Sequence, residues 1–343
     1  MLWRHAGYHP WYSHTISLES RCPTKEEHYR SLFSPRGTPP NVLEEVEAVL
    51  PHLPEPRCLQ DILSELRQNL TELPEAMLGE VGLDRAFRVP ASKAAVKDQP
   101  SEQNLLQSEP STNEHTLALR GKRLTSLTIP IQHQVAILEA QIGLAVELGR
   151  NVSMHSVKAG EATMTFFKEC CRLHNGANGK GFRDIHVDLH SCSLSAELIQ
   201  TITKTHLNVF VSFSTTINAR QKSLRTQIAA VPKERLLVES DWHSAEDLAE
   251  RNEEILGVAA PYVLGRGTQV ESNNRQESDV LSEDDLQEAA ETFAQNWRRF
   301  ERNGAVKQRN GQASDSEEEG NDEQHDGSYG DGLVRRQGAS RDE

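Results

Sequence analysis

The sequence has neither a long apolar run nor an excess of basic residues. No apolar run reaches the roughly 18 residues of a transmembrane helix, and no apolar leader is evident. The formal net charge is −14 at pH 7, from 37 Lys and Arg against 51 Asp and Glu. An acidic chain lacks the broad basic surface that drives non-specific nucleic-acid binding. A nucleic-acid substrate would therefore have to be held locally, by a metal ion and a few cationic side chains.

Cysteine is scarce, and the residues are odd in number. The sequence has five cysteines and no C-x-x-C pair. They are Cys22, Cys58, Cys170, Cys171 and Cys192. This pattern predicts reduced thiols rather than a disulfide framework. We therefore expect an intracellular protein of the cytoplasm or nucleus.

Two polar segments are set apart from the expected core. Residues 88–125 are rich in Ser, Glu, Gln, Lys and Pro with little hydrophobic period, which predicts a disordered insertion. Residues 304–343 predict an acidic disordered tail, because ten acidic residues against three basic ones between Asn310 and Glu343 give a net charge of −7. The remaining chain, residues 1–303, is expected to form one domain.

Short β-rich runs occur between residues 76 and 241, and from residue 130 onward they alternate with amphipathic helical segments. The predicted strands are AMLGEVGLD (76–84), NVSMH (151–155), RDIHVDLH (183–190), NVFVSFS (208–214) and RLLVESD (235–241). The predicted helices cover residues 130–149, 160–174, 195–206 and 218–231, with a last one that begins after a capping Ser282. This alternation is typical of a parallel α/β sheet or barrel.

Metal-ligand side chains stand where these strands end. His155, His190 and Asp241 each close a predicted strand, and Glu80 lies where a strand passes into a loop. A single histidine in such a place is more often a hydrogen-bonded loop residue. In a parallel barrel, however, the carboxyl ends of the strands converge on one face, where catalytic groups lie. Imidazole and carboxylate ligands suit Zn²⁺ or Mn²⁺, and bridging carboxylates also suit Mg²⁺. The pattern thus predicts one or two divalent ions that activate water against an ester bond.

At these positions the chain resembles the TatD family of metal-dependent deoxyribonucleases and related hydrolases. The matching motifs follow the family's order and cover about residues 5–265. GYHPWYSH resembles G-[IV]-H-P-W, LGEVGLDR resembles I-G-E-[IV]-G-L-D, and NVSMHSVKA resembles the segment that ends in H-x-R-x-A. DLHSCSLS resembles H-C-F-S-G, and RLLVESDWH resembles R-[LI]-L-[LV]-E-[ST]-D. The variant residues within these motifs are most similar to those of the fungal branch described as interacting with a subunit of the anaphase-promoting complex.

The resemblance implies a TIM-barrel-like, amidohydrolase-like fold and a role for each motif residue. Glu80, His155, His190 and Asp241 are the implied metal ligands, with Glu80 as the bridging carboxylate. Asp241 is also the implied catalytic base. His9 is implied at the rim of the barrel. The implied substrate is DNA or another phosphodiester, a protein partner fits the fungal branch, and no membrane is implied.

The sequence also departs from the family pattern. No H-x-H pair occurs, so the D-x-H-x-H strand that opens the family's barrel is missing. Two of eight strands are therefore expected to be absent, which would leave unpaired edges. A truncated amino end is the favoured interpretation, and decay into a non-catalytic form is the alternative. Val157 stands where the family has Arg after the ligand histidine, and HSCSLS lacks the glycine of H-C-F-S-G.

Three functional hypotheses remain open at this point. The leading one is a metal-dependent hydrolase of DNA phosphodiesters. The second is a non-catalytic interaction or scaffold protein that retains a decayed barrel. The third is a hydrolase of a small amide or lactone on the same kind of barrel, because a fold does not determine a substrate.

A few polar and aromatic residues outside the motif set are further candidates for a functional role. His243, two residues after Asp241, is a candidate substrate contact. His186 shares a strand face with His190 and is expected to have a structural or outward role. His14 is expected at the surface or in support of the site. Trp11 and Trp242 are candidates for stacking on bases, although packing in the core is the commoner role of tryptophan. 

Overall fold

The central sheet consists of six parallel strands that follow one another in chain order. A computed structural model describes residues 5–91, 124–176, 179–242, 244–266 and 281–313. Its strands are β1 (His5–Ala6), β2 (Ile16–Ser17), β3 (Arg57–Cys58), β4 (Met77–Asp84), β5 (Val152–Val157), β6 (Val187–Leu189), β7 (Val209–Phe213) and β8 (Leu236–Val238). The order in the sheet is β1-β4-β5-β6-β7-β8, and β2 pairs with β3 separately. Consecutive parallel strands with helical crossovers are the topology of the TIM barrel. The predicted α/β class is confirmed.

The helices fill the connections between the strands. They are α1 (Lys25–Phe33), α2 (Pro40–Val49), α3 (Leu59–Glu72), α4 (Ile131–Leu148), α5 (Gly160–Leu173), α6 (Ala196–Thr205), α7 (Thr215–Asn218), α8 (Leu224–Ala229), α9 (Leu248–Val263) and α10 (Glu283–Ala313). The predicted single helix over residues 218–231 is wrong, because the chain forms the two short helices α7 and α8 there. The predicted cap of the last helix is confirmed, since the Asp285 amide donates to Ser282 Oγ and the Ser282 amide donates to the Asp285 carboxylate.

The core lies between the sheet and the helices that pack on its outer face. Strand β7 is buried along its whole length, as expected for a strand of a covered parallel sheet. Leu138 and Ile142 of α4 pack in this core with Phe167 of α5. The apolar residues that recur at helical spacing in α4 therefore form its buried face, as predicted.

A smaller apolar cluster lies at the other end of the sheet, under α10. Met77, Phe210 and Leu237 pack there with Phe300 of the helix. The His186 ring lies 4.9 Å from the Phe210 ring, and its Nδ1 hydrogen-bonds the Phe300 carbonyl oxygen at 2.7 Å. His186 thus has the structural role predicted for it, in this buried cluster.

Two of the cysteines are bonded to each other. Cys22 and Cys58 form a disulfide across a Cα–Cα distance of 5.3 Å, so the prediction of reduced thiols is wrong for this pair. The sequence separation of 36 residues and the absence of a C-x-x-C pair gave no sign of it. Cys170, Cys171 and Cys192 are free thiols. Among the helices of the described chain, none is both long and apolar enough to cross a membrane.

The two polar segments fall largely outside the described residues. Of the predicted insertion at 88–125, residues 88–91 and 124–125 are described, and Pro90 and Leu124 form an antiparallel bridge that brings its two ends together. Of the predicted tail at 304–343, only residues up to Ala313 are described, and they continue α10. Disorder of either segment stays a prediction.

Candidate metal centre

Five sequence-predicted site residues meet at the carboxyl ends of the strands. His9 precedes a 3-10 helix at Pro10–Thr15, just after β1. Glu80 lies inside β4 rather than at its end, where the register against β5 shifts between Leu78 and Val81. The remaining three residues lie near the ends of β5, β6 and β8, and they are His155, His190 and Asp241. His243 lies outside the described residues.

Three imidazoles face one oxygen of Glu80. Glu80 Oε1 lies 3.2 Å from His155 Nδ1, 3.6 Å from His9 Nε2 and 3.7 Å from His190 Nε2. Asp241 joins this group through Oδ1, which is 3.4 Å from His190 Nε2. His9, Glu80 and His155 each offer a ligand atom within 4.8 Å of the others.

The other nitrogen of each histidine is held by a separate partner. Asp84 Oδ2 lies 3.2 Å from His155 Nε2, and Glu239 Oε2 lies 2.7 Å from His190 Nδ1. His9 Nδ1 accepts a hydrogen bond from the Trp11 amide at 3.2 Å. Metal-binding histidines are oriented in this way by carboxylates or backbone groups that occupy the second ring nitrogen.

These donors fit a divalent metal ion. Ligands about 2.0–2.2 Å from a tetrahedral ion are roughly 3.3–3.6 Å from one another, close to the separations around Glu80 Oε1. Each imidazole has one nitrogen engaged elsewhere and the other directed at the same carboxylate. Glu80, His155, His190 and Asp241 could therefore hold the ion, with His9 as a further donor beside Glu80.

Asp84 is one of the residues that the sequence reasoning did not single out. Trp11 Nε1 donates to Asp84 Oδ2 at 2.6 Å, and the amides of Ala86 and Phe87 donate to Oδ1. Trp11 therefore holds the carboxylate that orients His155, rather than lying free at the rim to stack on a base. The signal was present in the LGEVGLD motif, whose aspartate follows Glu80 by four residues.

Glu239 and Asp188 were also missed, although both lie in the motifs that drew attention to His190 and Asp241. Each precedes its motif ligand by two residues, and the period of two places such residues on the same face of a strand. Asp188, His190 and Glu239 form a second group whose potential ligand atoms lie within 4.8 Å of one another. Ser212 Oγ lies 2.8 Å from Asp188 Oδ2 and 2.8 Å from Glu239 Oε1, and so joins the two carboxylates.

Sharp turns follow three of the strands at this end of the sheet. Lys158, Ser191 and Asp241 have positive φ angles of 50°, 39° and 47°. Such backbone is uncommon for residues other than glycine and clusters at functional sites. The turn after His190 forms without the family's glycine, because the Ser191 amide donates to Glu239 and its hydroxyl donates to Asp241.

Of the two positions expected for His14, the surface is wrong and the supporting one fits the structure. His14 is buried, and burial lowers its pKa to about 4 despite a hydrogen bond with the Trp11 carbonyl oxygen. His14 thus supports the 3-10 helix that carries Trp11, and it does not lie at the surface.

Burial and mutual contacts shift the pKa of each group at the centre. Burial raises the pKa of Glu80, but hydrogen bonds to His155 and His9 outweigh it and hold that pKa well below its usual range. Burial lowers the pKa of His155, but Asp84 and Glu80 outweigh it and raise the value to about 9. Burial also lowers the pKa of His190, but the charge of Glu239 and the bond to Asp241 hold it well above the usual range. The metal-free centre therefore carries protons that an ion would displace.

Metal affinity is expected to rise with pH for this reason. A metal binds neutral imidazole, and His155 with a pKa of about 9 is protonated at pH 7. Affinity for Mn²⁺ should increase about tenfold per pH unit for each displaced proton between pH 7 and 9, and then level off. Calorimetric titrations in two buffers of different ionisation enthalpy would report both the affinity and the protons released. His155→Ala should bind more weakly with a shallower slope, and equal affinity of the natural chain at pH 7 and 9 would contradict this assignment.

Comparisons with known proteins give a family and two fungal relatives to which the chain is similar. Residues 1–300 match the family described as TatD related DNase. The Cut9-interacting protein scn1 of Schizosaccharomyces pombe is 27% identical over 281 residues, 74% of this chain and 75% of that protein. An uncharacterized deoxyribonuclease of Saccharomyces cerevisiae is 24% identical over 241 residues, 69% of this chain and 64% of that protein.

Solved structures with a similar chain path include two hydrolase-type proteins. An uncharacterized amidohydrolase from Saccharomyces cerevisiae has a TM-score of 0.47 at 12% identity, over 87% of this chain and 80% of that one. A TatD homologue from Escherichia coli has a TM-score of 0.39 at 16% identity, over 70% of each chain. The family match over most of the chain confirms the resemblance found in the motifs, including its fungal branch. The chain belongs to the TatD-related DNase family.

Proposed function

We propose that this protein is a metal-dependent phosphodiesterase whose substrate is DNA. The observation that carries the proposal is the convergence of His9, His155 and His190 on Glu80 Oε1, with Asp241 beside His190. Family membership and the deoxyribonuclease name of one relative support the choice of DNA. With one or two divalent ions bound, the centre would supply water that is acidic enough to attack at neutral pH and a positive charge for a phosphate oxygen.

The protein's own residues would orient the reactants and move the proton. Asp241 accepts a hydrogen bond from Ser191 Oγ through Oδ2, and its Oδ1 faces His190. The hydrogen bond from Ser191 fixes the orientation of the carboxylate beside His190, where Oδ1 can accept a proton from the attacking water. Asp84 and Glu239 keep the imidazoles of His155 and His190 in fixed orientations, which preserves the ligand geometry during turnover.

Asp241→Asn is expected to retain the fold and to lose metal-dependent cleavage of DNA. Asparagine is nearly the same size and can still accept from Ser191, but it lacks the charge and basicity of the carboxylate. The loss of a general base costs about 10²–10⁴-fold in rate. The measurement is cleavage of a labelled DNA oligonucleotide at fixed Mn²⁺, with circular dichroism to check the fold.

A matched control is Asp61→Asn. Asp61 is exposed in the first turn of α3, and its substitution makes the same chemical change at a residue outside the candidate centre. We expect natural activity from this variant. A turnover of Asp241→Asn equal to that of Asp61→Asn would remove Asp241 from the proposed mechanism.

A second candidate function is the binding of a protein partner. One relative is named for its interaction with Cut9, which favours this reading for its branch of the family. A non-catalytic scaffold would not need its ligand set, so substitution of Glu80 would leave partner binding intact. Affinity capture with the natural chain and with Glu80→Gln, compared side by side, separates the two functions.

We also propose an intracellular location, in the cytoplasm or the nucleus. The three free thiols of Cys170, Cys171 and Cys192 support it, since such thiols persist in reducing compartments. The disulfide between Cys22 and Cys58 points instead to an oxidising compartment. A fluorescent fusion would test the location directly.

A further inference from the structure

We propose that Asp188 and Glu239, with the hydroxyl of Ser212, form an inner cation site that takes a second ion, a hard divalent cation such as Mn²⁺ or Mg²⁺. The site lies one residue layer below the centre around Glu80, which we call the rim site and which consists of Glu80, His155, His190 and Asp241. The inner site adds Asp188, which belongs to no ligand set derived from the family motifs. It does not depend on the proposed nuclease activity.

The strand geometry separates the two sites by one layer. Asp188 lies in the middle of β6, two residues before His190, and pairs with Ser153 of β5 and Phe210 of β7. Because paired residues of neighbouring strands share a face, Asp188 lies beside the apolar cluster that contains Phe210. Its carboxylate thus lies between the apolar cluster that contains Phe210 on one side and His190 on the other.

One oxygen of Asp188 has no hydrogen-bond partner. Asp188 is only 7% exposed, and its Oδ1 is buried without a donor among the residues that the structure describes. A buried carboxylate oxygen without a donor is costly, and buried charges are normally paired or bound to a metal. The unsatisfied oxygen therefore marks where a cation would bind.

The two carboxylates also share one hydroxyl group. Ser212 Oγ lies 2.8 Å from both Asp188 Oδ2 and Glu239 Oε1, but a hydroxyl has one hydrogen and can satisfy one of them. Glu239 has further donors in the amide and hydroxyl of Ser191 and in His190 Nδ1, whereas among the described residues Asp188 is bonded by Ser212 alone, through its hydroxyl and its backbone amide. A cation near Oδ1 of Asp188 would bind both carboxylates and use the free lone pairs of the Ser212 hydroxyl.

The donor atoms select the class of ion. Carboxylate and hydroxyl oxygens suit Mg²⁺, Mn²⁺ or Ca²⁺ rather than a soft metal. His190 keeps its Nδ1 hydrogen bond to Glu239 and presents Nε2 to the rim site. One histidine thus connects the sites without being shared as a ligand.

The test counts Mn²⁺ ions on the full-length chain after equilibrium dialysis, by elemental analysis and by electron paramagnetic resonance. We expect Asp188→Asn to bind one equivalent fewer than the natural chain and to retain the rim ion. His155→Ala should show the opposite, with loss of the rim ion and retention of the inner one. Ser153→Ala, which changes the register neighbour of Asp188 without touching a carboxylate, is the matched control and should bind as the natural chain does.

Ser212→Ala provides a second test if Asp188→Asn does not fold. It keeps both carboxylates, and we expect about tenfold weaker binding at the inner site, together with a smaller rise of the melting temperature on adding Mn²⁺. Asp188→Asn with the full number of ions at unchanged affinity would overturn the inner site. A His155→Ala variant that binds no ion at all would also overturn the inner site. Failure of DNA cleavage alone would contradict the proposed function and leave the ion count unaffected.

Discussion

Glu80→Gln is expected to abolish metal-dependent hydrolysis and to weaken binding of the rim ion by about 10³-fold. His9, His155 and His190 all face Glu80 Oε1. An ion bound by these histidines would therefore also contact the negative charge of Glu80. Glutamine keeps the shape but removes the negative charge. A metal ion supplies several kcal/mol of transition-state stabilisation, which corresponds to about 10³-fold in rate when it is lost. Cleavage of labelled DNA and titration with Mn²⁺ measure the two effects.

Glu72→Gln is the control for this substitution. Glu72 lies exposed at the end of α3, where the same change leaves the centre untouched. Its activity and metal binding should equal those of the natural chain. If Glu80→Gln kept metal affinity within about threefold of this control, the ligand set would have to exclude Glu80.

Gly82→Ala is expected to destabilise the protein by about 3 kcal/mol or more and to distort the centre. Gly82 has a φ of +147°, and a Cβ there would overlap the carbonyl oxygen of His155 on the neighbouring strand. The overlap is with backbone, which cannot move aside as a flexible side chain could. The glycine of LGEVGLD is therefore required by the close approach of β4 to β5 beside two ligand residues. Urea unfolding followed by circular dichroism measures the loss.

Gly37→Ala separates the effect of close approach from that of backbone conformation. Gly37 has a φ of +89°, and a Cβ there would meet nothing within 4 Å. Only the conformational strain remains, of order 1 kcal/mol. Equal destabilisation by the two substitutions would show that the contact with His155 is not the cause.

The positions of the candidate ligands could be predicted because they depend on local pattern. His155, His190 and Asp241 follow runs of β-rich residues, and parallel strands bring their carboxyl ends to one edge. The same period of two would have found Asp188 and Glu239, since each lies two residues before a predicted ligand. The strand-end pattern does not predict them, because both residues precede the strand-end ligands and lie one layer further into the sheet.

Other features depend on contacts between distant parts of the chain. The Trp11 indole donates a hydrogen bond to the Asp84 carboxylate, 73 residues away in the sequence. The backbone amide of Asp84 donates to the Gln134 side chain, 50 residues away. Cys22 and Cys58 meet because the segment after β2 lies beside β3, a pairing of two-residue strands too short to read from the sequence. The division of the helix after β7 likewise has no single breaking residue such as proline in the sequence.

The central claim is that a divalent ion held by Glu80, His155, His190 and Asp241 hydrolyses a DNA phosphodiester. Its most direct test is to strip the full-length protein with a chelator and to follow cleavage of a labelled oligonucleotide as Mg²⁺, Mn²⁺ or Zn²⁺ is added back. We predict no cleavage by the stripped protein and recovery with at least one ion at micromolar to millimolar concentration, roughly the range of protein metal sites. Cleavage that persists in the stripped protein, or none with any of the three ions, would contradict the claim.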